Sequence, residues 1–237
     1  RYWVYLAHDK GDAYYDNPTV LKQIHQWFHT HIQSHLSRRG VTAKLCVLSF
    51  NNPAKVPGPV FNFMMKSAYT DGADYLYRIN DDTVFTSDFA GKFIAKLQSF
   101  SPPNVGAVGP FHKGGNTIIM THDFVHRTHL DIFHLYYPTH FTTWYMDDWI
   151  SYVYGAHNTE KVRAVTCDHI SSHGTRYNAE MNLDQKAMKR ELVGARLVID
   201  RYCKENKLDC SSLLSAPVKF RNSEYRSPAL KAVNRGL

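Results

Sequence analysis

Residues 74–85 read DYLYRINDDTVF. An aromatic and aliphatic run, DYLYRI (74–79), stops at an amide and two carboxylates, Asn80, Asp81 and Asp82. The run predicts a strand, and the polar triplet marks its carboxyl end. Toward the N-terminus, Trp3 to Ala7 followed by HDKGD predicts a first strand ending in a loop. Leu21, Ile24, Phe28, Ile32 and Leu36 recur at helical spacing; Asn17 can cap that helix, Pro18 suits its first position, and Gly40 lies just past its end. KLCVLSF (44–50) predicts a second strand, and Phe61, Met64, Met65 and Ala68 a helix over 58–68. Strands alternating with helices at this spacing predict an α/β fold with a Rossmann-like, mostly parallel central sheet flanked by helices. In such a sheet ligands collect at the carboxyl ends of the strands. Those ends are His8–Asp9, Phe50–Asn51 and Asn80–Asp82.

Toward the C-terminus the pattern predicts a helix over 88–97, a strand over 105–110 and a Gly-rich turn, HKGGN (112–116). A helix over 124–133, a loop to Trp144, a helix over 147–154, a strand over 164–169 and a terminal helix over 185–202 follow. The expected organisation is a single domain over 1–210, with a nucleotide-binding half (1–110) and a smaller acceptor-side, catalytic half (111–210). The Ser/Pro/Arg/Asn-rich tail, 211–237, is expected to be an extended wrap.

With 237 residues, 43% of them hydrophobic, the chain has enough apolar surface for a sizeable core. A net charge of +7 suits an anionic partner. The basic residues are scattered, however, and neither a zinc-finger spacing nor an aromatic RNA-binding signature is present, so no nucleic-acid partner is expected. No segment is long and apolar enough to span a bilayer and no signal peptide opens the chain, which begins RYWVYLAHD and reads as an excised domain. Cys46, Cys167, Cys203 and Cys210 are too dispersed for a cysteine-rich metal cluster. Cys203 and Cys210 flank the short stretch KENKLD and stand either as a bridge or as two free thiols.

Three motifs carry chemistry. A strand that ends in two adjacent carboxylates needs partners for them, and a hard divalent cation shared with a diphosphate is one; a solvated Asn-Asp-Asp turn is the alternative. A second acidic pair, Asp147–Asp148, stands at a predicted helix start in WYMDDWISYVYG (144–155). It can cap the helix or favour its dipole. Alternatively, Trp144, Tyr145, Trp149 and Tyr152 crowd it as sugar-holding aromatic faces that also partly desolvate a base. Third, CDHISSHGTRY (167–177) places His169 and His173 after a strand, where neutral imidazole can complete a cation site.

In this order the motifs resemble those of the GT-A nucleotide-sugar glycosyltransferases, and within them the fringe and β3-galactosyltransferase branch, over residues 1–180. The resemblance implies that Asn80-Asp81-Asp82 matches the metal- and nucleotide-binding DxD motif. The departure at Asn80 leaves Asp82 as the metal ligand, with Asn80 free to meet ribose or a bridging water. It implies that Asp147–Asp148 matches the acidic pair, with Asp148 the general base and Asp147 orienting acceptor or donor hydroxyls. His173, or else His169, matches the late metal-binding histidine. Mn2+ or Mg2+ is the implied cofactor, a UDP-sugar the donor, a hydroxyl of a glycan or glycoprotein the acceptor and inversion the outcome; the compartment is the secretory lumen, or the cytoplasm for a viral or bacterial member. His8 and Asp9 would meet the nucleobase or ribose. His112 and Lys113, beside Gly114 and Gly115, stand either as donor-binding groups on a mobile loop or as an exposed polar turn.

Three other functions use similar residues. A Mg-dependent phosphoryl or nucleotidyl transferase or hydrolase would more often carry a GxxxxGK[ST] loop, which is missing here. A non-catalytic carbohydrate-binding module would use the aromatic wealth without needing two acidic pairs and a histidine. A glycoside hydrolase needs two carboxylates flanking one bond.

Overall fold

The computed structural model describes residues 1–112, 116, 118–169 and 185–215. The chain is an α/β protein, and among the described residues its strands form two sheets. The first pairs β1 (Tyr2–Asp9) with β2 (Ala43–Phe50), parallel and in register from Tyr2 opposite Ala43 to Asp9 opposite Phe50. The crossover between them is helical: α1 (Pro18–Phe28), a π-turn (His29–Gln33) and α2 (Ser34–Ser37). It starts as its sequence dictates. Asn17 Oδ1 accepts from Thr19 N at 2.9 Å, and Pro18, which lacks an N–H, occupies the first turn where none is needed.

The second sheet has the order β3-β6-β5-β7-β4, built from β3 (Tyr75–Arg78), β4 (Thr83–Phe85), β5 (Ala107–His112), β6 (Asp123–His126) and β7 (Thr159–His169). Only β5 and β7 pair in parallel; β3–β6, β5–β6 and β4–β7 are antiparallel. The sheet is therefore mixed, which corrects the expectation of a mostly parallel one. Two short strands account for the difference. β6 falls in the stretch expected to be helical over 124–133; Asp123, Phe124 and Val125 are all buried, so the segment lacks the alternation that marks a half-exposed strand. Only Thr128–Phe133 of that stretch forms a helix, α5. β4 is three residues long and is extended through its pairing with the end of β7, Thr83 opposite His169 and Phe85 opposite Cys167.

Helices cover these sheets. α3 (Pro57–Thr70) packs on β1 and β3. Its second residue, Gly58, must be glycine: a Cβ there would stand 2.4 Å from the Phe141 carbonyl oxygen, and Gly58 N donates to Thr142 O at 2.9 Å. That contact docks the start of α3 on the loop leading to α6 (Met146–Tyr152). α4 (Ala90–Gln98) closes a smaller core of Phe93, Leu97, Phe100, Val108, Phe124 and Val165. α7 (Gln185–Glu205) buries Met188, Leu192, Ala195, Ile199 and Cys203 at helical period in the main core. Cys203 and Cys210 form a disulfide with Cα atoms 6.2 Å apart, joining the end of α7 to α8 (Ser211–Ser215). The first five residues of the expected extended tail are thus helical, with Leu213 buried; 216–237 lie outside the described residues. No helix among the described residues is long and apolar enough to cross a membrane.

Candidate functional site

Arg78, the last residue of β3, is 4% exposed. A buried guanidinium is tolerated only with charge and hydrogen-bond partners, and the fold supplies them from four segments. Its Nε donates to Tyr137 Oη at 3.0 Å and to Asp123 Oδ1 at 3.2 Å, and its Nη2 lies 3.1 Å from the same carboxylate. Nη2 also donates to Asp147 Oδ1, and Nη1 to Asn80 Oδ1 at 3.4 Å. The rings of Phe61 and Tyr137 flank the guanidinium. Asp123, fully buried, further accepts from Tyr136 Oη and Tyr137 Oη, each at 2.6 Å. Burial works against the Arg78 charge, but Tyr137, Asp147 and Asp123 outweigh it and hold its pKa well above the ordinary arginine value.

Through this one side chain the strand-end triplet and the second acidic pair meet. The two carboxylates of that pair stand in different surroundings in the first turn of α6. Asp147 keeps 34% of its side-chain surface exposed, yet protein atoms crowd it; that burial raises its pKa, Arg78 pulls it down, and the Asp123 charge raises it further. Asp148 is 5% exposed, and its charge adds to burial in raising the Tyr145 pKa. Tyr145 enters α6 with φ of +69°, a left-handed conformation that a bulky residue rarely adopts. Asp81 is exposed and Asp82 half-buried on the turn between β3 and β4.

The aromatic residues around the pair do not act together. Trp149 is a core residue packed on His129, Phe133 and Tyr137, so it is not a sugar-holding face. Trp144, Tyr145 and Tyr152 remain half-buried. His8 and Asp9 belong to a different polar cluster at the ends of β1 and β2. Asp9 Oδ1 accepts from Asn52 Nδ2 at 3.0 Å, while the His8 ring stacks on Tyr15 and lies 3.5 Å from Asp16.

His112 corrects the expectation that it projects from a Gly-rich turn. It ends β5 and is buried, with its ring stacked on that of His122 at 4.7 Å between centroids. Its Nε2 lies 2.7 Å from His122 Nδ1, 3.1 Å from Cys167 Sγ and 3.1 Å from Thr121 Oγ1. A break in the β5–β7 register between Pro110 and Phe111 brings His112 opposite Cys167. Gly109 lets the chain at His122 approach: a Cβ there would stand 2.4 Å from the His122 carbonyl oxygen. Burial pushes the Cys167 thiol up to about 11, with the Asp168 charge adding to it, so without a cation it is protonated at neutral pH. His112, His122 and Cys167 form a group that can hold a metal ion, their ligand atoms all within 4.8 Å of one another.

Lys113, Gly114, Gly115 and His173 lie outside the described residues; of His169 only the backbone pairing is described, opposite Thr83 and so next in register to Asp82. Arg78, Asp123, His122 and Cys167 are site residues that the sequence motifs do not mark. Arg78 did carry a signal, a cation inside an otherwise apolar strand, whereas the others are assembled only by strand pairing. No protein-family model, curated protein or solved structure matches this chain.

Proposed function

We propose that the protein is a metal-dependent GT-A glycosyltransferase that moves a sugar from a nucleotide diphosphate donor, UDP-linked by the family's pattern, to a hydroxyl of a glycan or glycoprotein. The observation that carries the proposal is the bridge made by Arg78, which binds Asn80 and Asp147 at once and so holds two sequence-distant acidic motifs at one strand end. A transferase of this kind needs both in one place: carboxylates for a cation and diphosphate, and a carboxylate for the acceptor.

Asp82, with Asp81 beside it, offers hard oxygen ligands suited to Mn2+ or Mg2+, and such a cation offsets charge on the departing diphosphate. His173 remains the family-implied additional ligand. Asp147 is already engaged by Arg78, which suits an orienting role. Asp148, next to Tyr145, is then the proton acceptor for the attacking hydroxyl, a step worth roughly 10²–10⁴-fold. Attack from the face opposite the diphosphate inverts the anomeric centre. The disulfide suits an oxidising compartment such as the secretory lumen.

Calorimetry of UDP with Mn2+ and with EDTA tests the metal role. Binding that needs Mn2+ and is lost in Asp82→Ala, with the thermal transition unchanged, is the expected result. Equal affinity in EDTA removes Asp81 and Asp82 from the metal and leaves them a solvated turn.

A further inference from the structure

We propose that His112, His122 and Cys167 bind a zinc ion, and that this ion pins β4, with the Asp81–Asp82 turn that precedes it, to the central sheet. The site is separate in chemistry from the acidic one and does not rest on the glycosyltransferase reading.

Donor type points to the ion. Two imidazoles and a thiol suit zinc, whereas Mg2+ and Mn2+ take carboxylates, carbonyls and water. The geometry is that of a shared point. His112 Nε2 is approached at 2.7 Å by His122 Nδ1, at 3.1 Å by Cys167 Sγ and at 3.1 Å by Thr121 Oγ1. One ring nitrogen has either a single proton or a single lone pair to offer and cannot satisfy three such neighbours together. An ion among them takes one lone pair from each. Around tetrahedral zinc, two nitrogens stand about 3.3 Å apart and a nitrogen and a sulfur about 3.6 Å, from bond lengths near 2.05 and 2.3 Å. The two ligand pairs that include His112 Nε2 therefore need to open by only about half an ångström, while His122 Nδ1 and Cys167 Sγ lie within 4.8 Å of one another. Thr121 Oγ1, 3.1 Å from His112 Nε2 and 3.5 Å from His122 Nδ1, lies beside the fourth position.

The outer contacts fit as well. A ligating histidine commonly donates its other ring N–H to an oxygen, which fixes tautomer and orientation. His122 turns Nδ1 to the cluster and its Nε2 lies 2.7 Å from Thr83 Oγ1. Thr83 opens β4 directly after Asp82, and β4 pairs with the segment of β7 that carries Cys167. Metal, His122, Thr83 and the acidic turn thus form one continuous chain of contacts. All three ligands are buried, so a bound ion would be shielded from competing water.

The test uses the purified protein, stripped with a chelator, reloaded with Zn2+ and desalted before metal analysis. Wild type should retain one zinc per chain and gain thermal stability that Mn2+ and Mg2+ do not give. Co2+ in place of zinc should produce a thiolate-to-cobalt charge-transfer band. Cys167→Ser should lose the band and the tightly held zinc. Thr83→Val, which keeps all three ligands, should weaken zinc binding by about tenfold or more. Wild type that holds no zinc after desalting, a cobalt complex without the thiolate band, or equal zinc retention in a folded Cys167→Ser each overturns the proposal.

Discussion

Replacing Arg78 with methionine keeps most of the side-chain volume and removes the charge that three groups share. Loss of one member of a buried ion pair typically costs about 3–5 kcal/mol, because the remaining charge is left without compensation. The structure places this case at the lower end. Asp123 is fully buried but retains two tyrosine hydroxyl donors at 2.6 Å, and Asp147, at 34% side-chain exposure, can recover water. A cost of about 3 kcal/mol corresponds to a fall of roughly 6–12 °C in Tm for a domain of this size. Scanning calorimetry of the two proteins at neutral pH measures it, with far-ultraviolet circular dichroism to show that Arg78→Met still folds. Adding Asp147→Asn to Arg78→Met should recover part of the loss, since one stranded carboxylate is gone. A Tm within about 2 °C of wild type would mean that Asp123 and Asp147 are compensated elsewhere, and the bridge between the two acidic motifs would lose its significance.

Two pH effects follow from the buried groups. Asp147 has a raised pKa, so its ionised form is disfavoured in the folded state and stability from this group is lost as pH rises through the folded value. Asp147→Asn should therefore compare best with wild type at neutral pH and lose that advantage on acidification, as urea unfolding at several pH values will show; a difference in unfolding free energy independent of pH contradicts the assigned direction. His129 is buried, with its pKa lowered from 6.5 to about 4 by desolvation. The unfolded chain takes up that proton first, so about 3 kcal/mol of stability should disappear as pH falls from about 6.5 to 4. His129→Gln should flatten that part of the acid limb, and an unchanged limb would assign the loss to other groups.

The helices were legible where local chemistry fixes them. Asn17-Pro18 begins α1, the apolar spacing of α7 marks its buried stripe, and the acidic pair lies in the first turn of α6 as expected. β6 was not legible, because four mostly buried residues without alternation look like the start of the helix that follows. β4 has no signal of its own; it is a strand because the end of β7 pairs with it. Every antiparallel pair involves β4 or β6, so the strands that the pattern does mark imply a parallel sheet. The same limit governs the sites. DYLYRINDD shows where a strand delivers its charges, but Asp123, Tyr136 and Tyr137, which hold Arg78, have no spacing that announces them. His112, His122 and Cys167 are likewise brought together by register and by the break at Pro110–Phe111, not by any local motif.

The proposed reaction is sugar transfer with a base at Asp148. It is tested most directly by incubating wild type and Asp148→Asn with a panel of nucleotide sugars, Mn2+ and glycan acceptors, and separating transferred sugar from free sugar. Wild type should transfer from at least one donor, and Asp148→Asn should fall by about 10²-fold or more while UDP affinity stays near wild type. Full transfer by Asp148→Asn would remove the base from Asp148, and turnover of nucleotide triphosphates with no sugar acceptor in place of transfer would rule out a glycosyltransferase.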